Sequence, residues 1–226
     1  MSRPTALRCE ELSRTYGAGP NAVHALRGVS LDVPAGELLV LRGPSGSGKT
    51  TLLNLLGGLD RPSSGRVWLG DREVTTASED DLVDMRRHDI GFVFQSFALL
   101  PVLSAAENVE LPLRIRGLPV ADRDARVADL LEAVGLAQHA NQRPGELSGG
   151  QQQRLGIARA LANEPRVLIA DEPTGQLDSV NAEAMMSLIA ALAHQRGVAA
   201  VVSTHDPRMA VYADRVLDLH DGQLTD

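Results

Sequence analysis

The chain has 226 residues, 43% of them hydrophobic, 23% charged and 3% aromatic, with a formal net charge of −7. That length suits one domain or a closely joined pair of subdomains around a core of Leu, Val, Ile and Ala, and the acidic balance argues against nucleic acid as the main partner. A single cysteine, Cys9, excludes an intrachain disulfide; with no apolar run near the roughly 18 residues a bilayer requires and no apolar leader in the first five residues, the chain is expected to be soluble and cytoplasmic.

Residues 7–12, 29–33 and 67–69 are short apolar segments flanked by turns, which predicts a small antiparallel layer. Residues 38–41 are wholly apolar and predict a buried strand, followed by a glycine-rich loop and a helix through Leu52, Leu53, Leu55 and Leu56. A further strand is expected at 90–94. Residues 105–115 and 120–134 carry apolar side chains at helical spacing, with breaks at Gly117-Leu118-Pro119 and Arg143-Pro144-Gly145. Strands at 167–170 and 199–203 bracket a helix around 182–193. Strands alternating with helices predict an α/β fold with a mainly parallel sheet. The helical stretch reads as an insert, so one domain over 1–226 divides into a core of about 1–94 and 164–226 and a helical subdomain of about 95–163.

Two segments carry chemistry. Gly43-Pro44-Ser45-Gly46-Ser47-Gly48-Lys49-Thr50 matches GxxxxGK[ST] between a strand and a helix, the context that a phosphate-binding P-loop requires. Glycines let backbone N–H groups turn inward around phosphate oxygens, and the helix N-terminus adds partial positive charge. Lys49 would reach the β- and γ-phosphates, and Thr50 offers a hydroxyl to Mg²⁺. Of 22 basic residues Lys49 is the sole lysine, and it falls in the slot where the motif demands one. Further on, the apolar strand Val167-Leu168-Ile169-Ala170 ends in Asp171-Glu172. Asp171 is suited to holding Mg²⁺ directly or through water. Glu172, expected on the opposite side of the pleat, could polarise an attacking water.

With these in place, Leu147-Ser148-Gly149-Gly150-Gln151 resembles the signature sequence of ABC ATPases, and the likeness extends over essentially the whole chain. The resemblance implies a P-loop NTPase core with a helical subdomain, binding ATP and Mg²⁺. Tyr16 matches the aromatic that stacks on adenine. Gln95 matches the glutamine that senses Mg²⁺ and water, Asp178 the loop that bridges two halves of a dimer, and His205 the switch histidine at the γ-phosphate. The implied catalytic set is therefore Glu172, His205, Gln95 and Lys49, with Thr50, Gln95 and Asp171 at the metal. The nucleotide set comprises Tyr16, residues 43–50, Thr51, Ser148, Gly149, Gly150, Gln151 and Asp178. Ser148 also opens a helix, a second anion-binding N-terminus; two cradles for one phosphate group imply two chains packed head to tail, with ATP between them.

Phe92–Pro101, Glu107–Leu113 and Asp171–Gly175 are similar to the lipoprotein-releasing, macrolide-exporting and peptide-exporting group. That implies a homodimer working beneath a separately encoded integral membrane subunit at the cytoplasmic face of the membrane. The alternative within the group is a regulatory ATPase of the cell-division type, with no cargo. Gln176 departs from the Asn usual after Thr-Gly, a change of length at the bridging loop. Phe97, Leu99, Leu100, Val102 and Leu103 are exposed-looking apolar residues within 95–112, which predicts a socket there for a short helix of the membrane subunit.

Overall fold

The computed structural model describes residues 4–225; residues 1–3 and Asp226 lie outside, and with them part of the expectation about an amino-terminal leader. The larger sheet has the order β10-β9-β3-β8-β7-β6. Strands β3 (Leu38–Arg42), β6 (Ile90–Val93), β7 (Val167–Asp171), β8 (Ala199–Thr204) and β9 (Arg215–His220) run parallel, and β10 (Gln223–Thr225) adds an antiparallel edge. The second sheet is antiparallel, in the order β2-β1-β4-β5, from β1 (Thr5–Tyr16), β2 (Val23–Pro34), β4 (Ser64–Leu69) and β5 (Arg72–Glu73).

The central strands are apolar without interruption because both faces of their sheet are covered. Successive side chains point to opposite faces, and each face belongs to a separate buried cluster. Leu38, Val40, Leu168, Ala170, Ala200 and Val202 face helices α3 (Ala105–Arg116), α4 (Val120–Ala133), α5 (Gly149–Ala160) and α6 (Ser179–Arg196). Leu39, Leu41, Val167, Ile169, Ala199 and Val201 face helix α1 (Lys49–Leu56) and the antiparallel sheet. Leu52, Leu53, Leu55 and Leu56 of α1 are all buried, since that helix has sheet on two sides. Among the described residues, no helix is long and apolar enough to cross a membrane.

Two strands are longer than their apolar pattern. Strands β1 and β2 each run 12 residues, but their pairing shifts register between Cys9 and Leu12 and again between Leu12 and Arg14. Bulges of this kind interrupt the period-2 alternation by which a strand is recognised. Helix α2 (Glu79–His88) and the β9–β10 hairpin are additions to the expected elements.

Cys9 lies inside the antiparallel layer at 1% exposure, and burial pushes its thiol up to about 12 from 9.0. Because the thiolate is the reactive species, native Cys9 should react with a maleimide about 10³-fold more slowly than the unfolded chain at the same pH. Labelling followed by mass spectrometry, with and without denaturant, measures the ratio. Rapid native labelling would mean that this layer opens readily.

Candidate nucleotide site

The C-terminal ends of β3, β7 and β8 meet at one edge of the parallel sheet, where ligands of open α/β folds bind. Strand β3 runs into the Gly43–Gly48 loop, which α1 follows. The loop depends on missing side chains. A Cβ at Gly43 would lie 2.2 Å from the Leu219 carbonyl oxygen, and Gly48 has a φ of 106° with a would-be Cβ 2.5 Å from the Ala25 oxygen. Only glycine fits either place. Ser47 Oγ is buried with no hydrogen-bond partner among the described residues, as suits a loop built to meet oxygen acceptors.

Lys49 is 7% exposed and curls over its own loop, donating from Nζ to the carbonyls of Gly43 at 2.7 Å and Pro44 at 3.1 Å. The same ammonium lies 3.6 Å from Glu172 Oε1. Glu172 Oε2 is 2.8 Å from His205 Nδ1, so a cation and an imidazole converge on one carboxylate. Next to it, Thr50 Oγ1 donates to Asp171 Oδ2 at 2.9 Å. Ser203, fully buried at the end of β8, donates from Oγ to Asp171 Oδ1 at 2.6 Å and accepts the Glu172 N–H at 2.9 Å.

The carboxylates are not arranged as strand alternation predicts. Strand β7 ends at Asp171, and Glu172 has left-handed backbone, with φ 47°. That turn brings Glu172 round to the cleft side, so both acids serve one site. For a residue other than glycine, the conformation costs about 1–3 kcal/mol and persists only where the surroundings over-determine it. Here the Ser203 hydroxyl and the two partners of the carboxylate do so.

A cleft of about 1140 Å³ opens over the loop, lined by Pro44, Ser45, Gly46, Gly48, Lys49, Thr50, Thr51, Gln95, Glu172 and His205. Its far wall comes from Ala22, Val23, His24, Ala25 and Arg27 on the β2 side and from Asp221-Gly222 in the β9–β10 turn. The sequence reading missed that wall and Ser203. The Asp-Gly pair was a visible turn signal, but its nearness to the loop depends on β9 lying beside β3. Gly222 N donates to the Ser47 carbonyl at 3.0 Å and fixes the two turns together.

Tyr16 does not line the cleft. Its hydroxyl donates to Asp60 Oδ2 at 2.9 Å, and the Arg14 guanidinium sits 4.5 Å over one ring face. It stands beside the mouth, opposite Val23 across the β1–β2 ladder. Ser148, Gly149, Gly150, Gln151 and Asp178 also lie away from the cleft of their own chain. Ser148 caps α5 in a reciprocal box: Gln151 N donates to Ser148 Oγ at 3.3 Å and Ser148 N to Gln151 Oε1 at 2.9 Å. Asp178 caps α6 close by, and a Cβ at Gly150 would lie 3.3 Å from Asn181 Oδ1. The Asn181 backbone N–H holds the Asp178 carboxyl below the usual carboxylate range.

The parallel sheet, the glycine loop and the paired acids define a P-loop nucleoside triphosphatase. A model of the ABC transporter family matches residues 26–175, and the chain belongs to that family. It is 46% identical over 220 residues to a lipoprotein-releasing system ATP-binding protein, LolD, of Chromohalobacter salexigens, covering 97% of this chain and 93% of that one. It is also 46% identical over 224 residues to a macrolide export ATP-binding/permease protein, MacB, of Brucella abortus; there it covers 99% of this chain but 34% of the relative. The chain thus spans about a third of the length of the MacB proteins it matches. Among solved structures, a dimeric post-hydrolysis state of the ATP-binding cassette MJ0796 bound to ADP and Pi superposes with a TM-score of 0.88 at 41% identity, covering 97% of each chain. The chain is an ABC ATPase cassette, and its relatives fall in the macrolide and lipoprotein export group.

Proposed function

We propose that two copies of this chain close on two ATP molecules, hydrolyse them, and thereby drive a conformational change in a separate membrane subunit at the cytoplasmic face of the membrane. Within the export group, the relatives named for macrolide export and lipoprotein release favour transport over a purely regulatory ATPase. The observation that carries the reading is the convergence of Lys49 and His205 on Glu172 beside the Thr50–Asp171 pair.

The loop N–H groups and Lys49 bind the triphosphate, with Lys49 leaving its carbonyl partners for phosphate oxygens. Glu172 takes the proton of the attacking water, which needs a carboxylate held at the cleft and unprotonated. His205 orients that carboxylate and contacts the γ-phosphate. Gln95, on the cleft wall, orients the water. Mg²⁺, when bound, neutralises phosphate charge, and Thr50 and Asp171 would hold it with Gln95 alongside. Ser148, Gly149, Gly150, Gln151 and Asp178 are assigned to the second copy's nucleotide. Tyr16 stacks on adenine with the ring face opposite Arg14.

The part that moves is the helical region of 95–163. Contact with the membrane subunit falls on the loop before α3. Asn108, fully buried, staples that loop: it accepts the Leu100 N–H at 2.9 Å and donates to the carbonyls of Leu100, Leu103 and Ser104 at 3.1, 3.2 and 3.0 Å. Of the five apolar residues expected there to be exposed, Leu100 at 41% and Val102 at 73% are. Phe97 and Leu103 are half-buried, and Leu99 packs against the core. Leu100→Asp is expected to abolish co-purification with the membrane subunit while basal ATPase activity and melting temperature stay near wild type. Loss of basal activity together with stability would place Leu100 in the core.

A further inference from the structure

The turn after Gln95 is bent in a way that its residue types resist. Phe97 and Ala98 have φ of 60° and 50°, two successive left-handed positions without a glycine or asparagine. Such a conformation persists only where the surroundings hold it. Here the holding partner is α5. From the last turn of that helix, Arg159 donates through Nη1 to the Ala98 carbonyl at 2.6 Å and through Nη2 to the Phe97 carbonyl at 3.1 Å. The turn also packs along α5 at ordinary contact distance. A Cβ at Gly156 would lie 3.6 Å from the Phe97 oxygen, and one at Gly149 would lie 4.0 Å from the Phe97 ring.

The charge state of Arg159 makes the arrangement costly. Burial pulls its guanidinium below the ordinary arginine range, and no neighbouring charge among the described residues offsets it. Arg159 is half-buried, and among the described residues no ion pair to a carboxylate accompanies it. It is aimed, fork first, at two carbonyls of one strained turn.

We propose that Arg159 is a positioning residue for Gln95: it fastens the strained turn to α5, so that the helix capped by Ser148 and the loop beginning at Gln95 move as one body. The inference rests on the place given above to Gln95 in hydrolysis. Helix α5 is about 18 Å long. Ser148 stands at the end assigned to the second copy's nucleotide, and Arg159 at the end that grips the turn. Displacement of one end by the partner's ATP therefore reaches Gln95 at the chain's own ATP.

Three variants test this: Arg159→Met, which keeps length and removes the donors, the double variant Arg159→Met/Ala98→Gly, and Gln95→Ala. Hydrogen exchange, kcat, KM for Mg²⁺-ATP and melting temperature are read for each. Arg159→Met should speed amide exchange at residues 97–100 without affecting α1 or β7. It should lower kcat by roughly 10- to 100-fold, the range that a misplaced site group costs, with KM changed little. Glycine adopts positive φ without a steric penalty, so Ala98→Gly in that background should recover much of the lost kcat. Unchanged exchange at 97–100 overturns the proposal. So does a fall in kcat that tracks melting temperature and is not recovered by Ala98→Gly, or a normal kcat in Arg159→Met where Gln95→Ala is slow. Normal turnover in Gln95→Ala, with exchange at 97–100 still raised by Arg159→Met, would overturn the role of Gln95 while leaving the fastening itself intact.

Discussion

Glu172→Gln is expected to bind ATP about as well as the parent chain and to turn it over about 10²–10⁴-fold more slowly, the usual contribution of a positioned general base. The amide keeps the shape of the carboxylate and the contact with His205, which lies 2.8 Å from Oε2. It removes the charge that faces Lys49 at 3.6 Å and the capacity to take a proton from water. Lys49→Ala should fail in the other order. With the ammonium gone, the β,γ-phosphate contact is lost and ATP affinity falls, since charge-assisted hydrogen bonds are the strong ones in such a site. Equilibrium nucleotide binding and single-turnover hydrolysis separate the two. Near-normal hydrolysis by Glu172→Gln would remove Glu172 from the chemistry and leave it as a structural partner of Lys49.

The same variant should assemble. In Mg²⁺-ATP, Glu172→Gln is expected to shift from monomer to dimer by light scattering, because both cradles fill and nothing discharges them. Adding Ser148→Arg should hold it monomeric. Ser148 caps α5 with its hydroxyl, and neither it nor Asp178 takes part in the cleft of its own chain. A helix N-terminus with free N–H groups is an anion site. Arginine there removes the cap and sets bulk where the second copy's γ-phosphate would approach. Ligand that binds only the closed pair stabilises it by mass action. A dimer indifferent to ATP would put the interface elsewhere.

Legibility followed the range of each interaction. The strand–loop–helix around Lys49 could be read directly, because a backbone that cradles phosphate tolerates few residue types over eight consecutive positions. Strands β7 and β8 were equally plain: residues buried on both faces read as unbroken apolar runs. Helix α2 has only Leu82 and Met85 buried, so its stripe is too thin to register, although Ser78 caps it and acids and bases stand at the proper ends. Within the site, what was missed depends on folding. Ser203 meets Asp171 across 32 positions of sequence because β7 and β8 are neighbours, and no local pattern marks it. Glu172 was read by strand alternation, but its left-handed backbone decides its direction. Tyr16 was placed at adenine by family likeness alone, and the structure sets it beside the mouth, with one face already taken by Arg14.

The solitary lysine gives the chain an uncommon experimental property. Every other basic residue is an arginine, so isotope-labelled lysine places one side-chain ammonium in the entire molecule, at the floor of the cleft. Its magnetic resonance signal then reports a single atom moving from the carbonyls of Gly43 and Pro44 to whatever replaces them, with no assignment problem and no mutation. A protease that cuts after lysine likewise has one bond to attack, between Lys49 and Thr50 in the first turn of α1, in a helix enclosed by sheet on two sides. The digestion rate becomes a clock for the opening of that one segment.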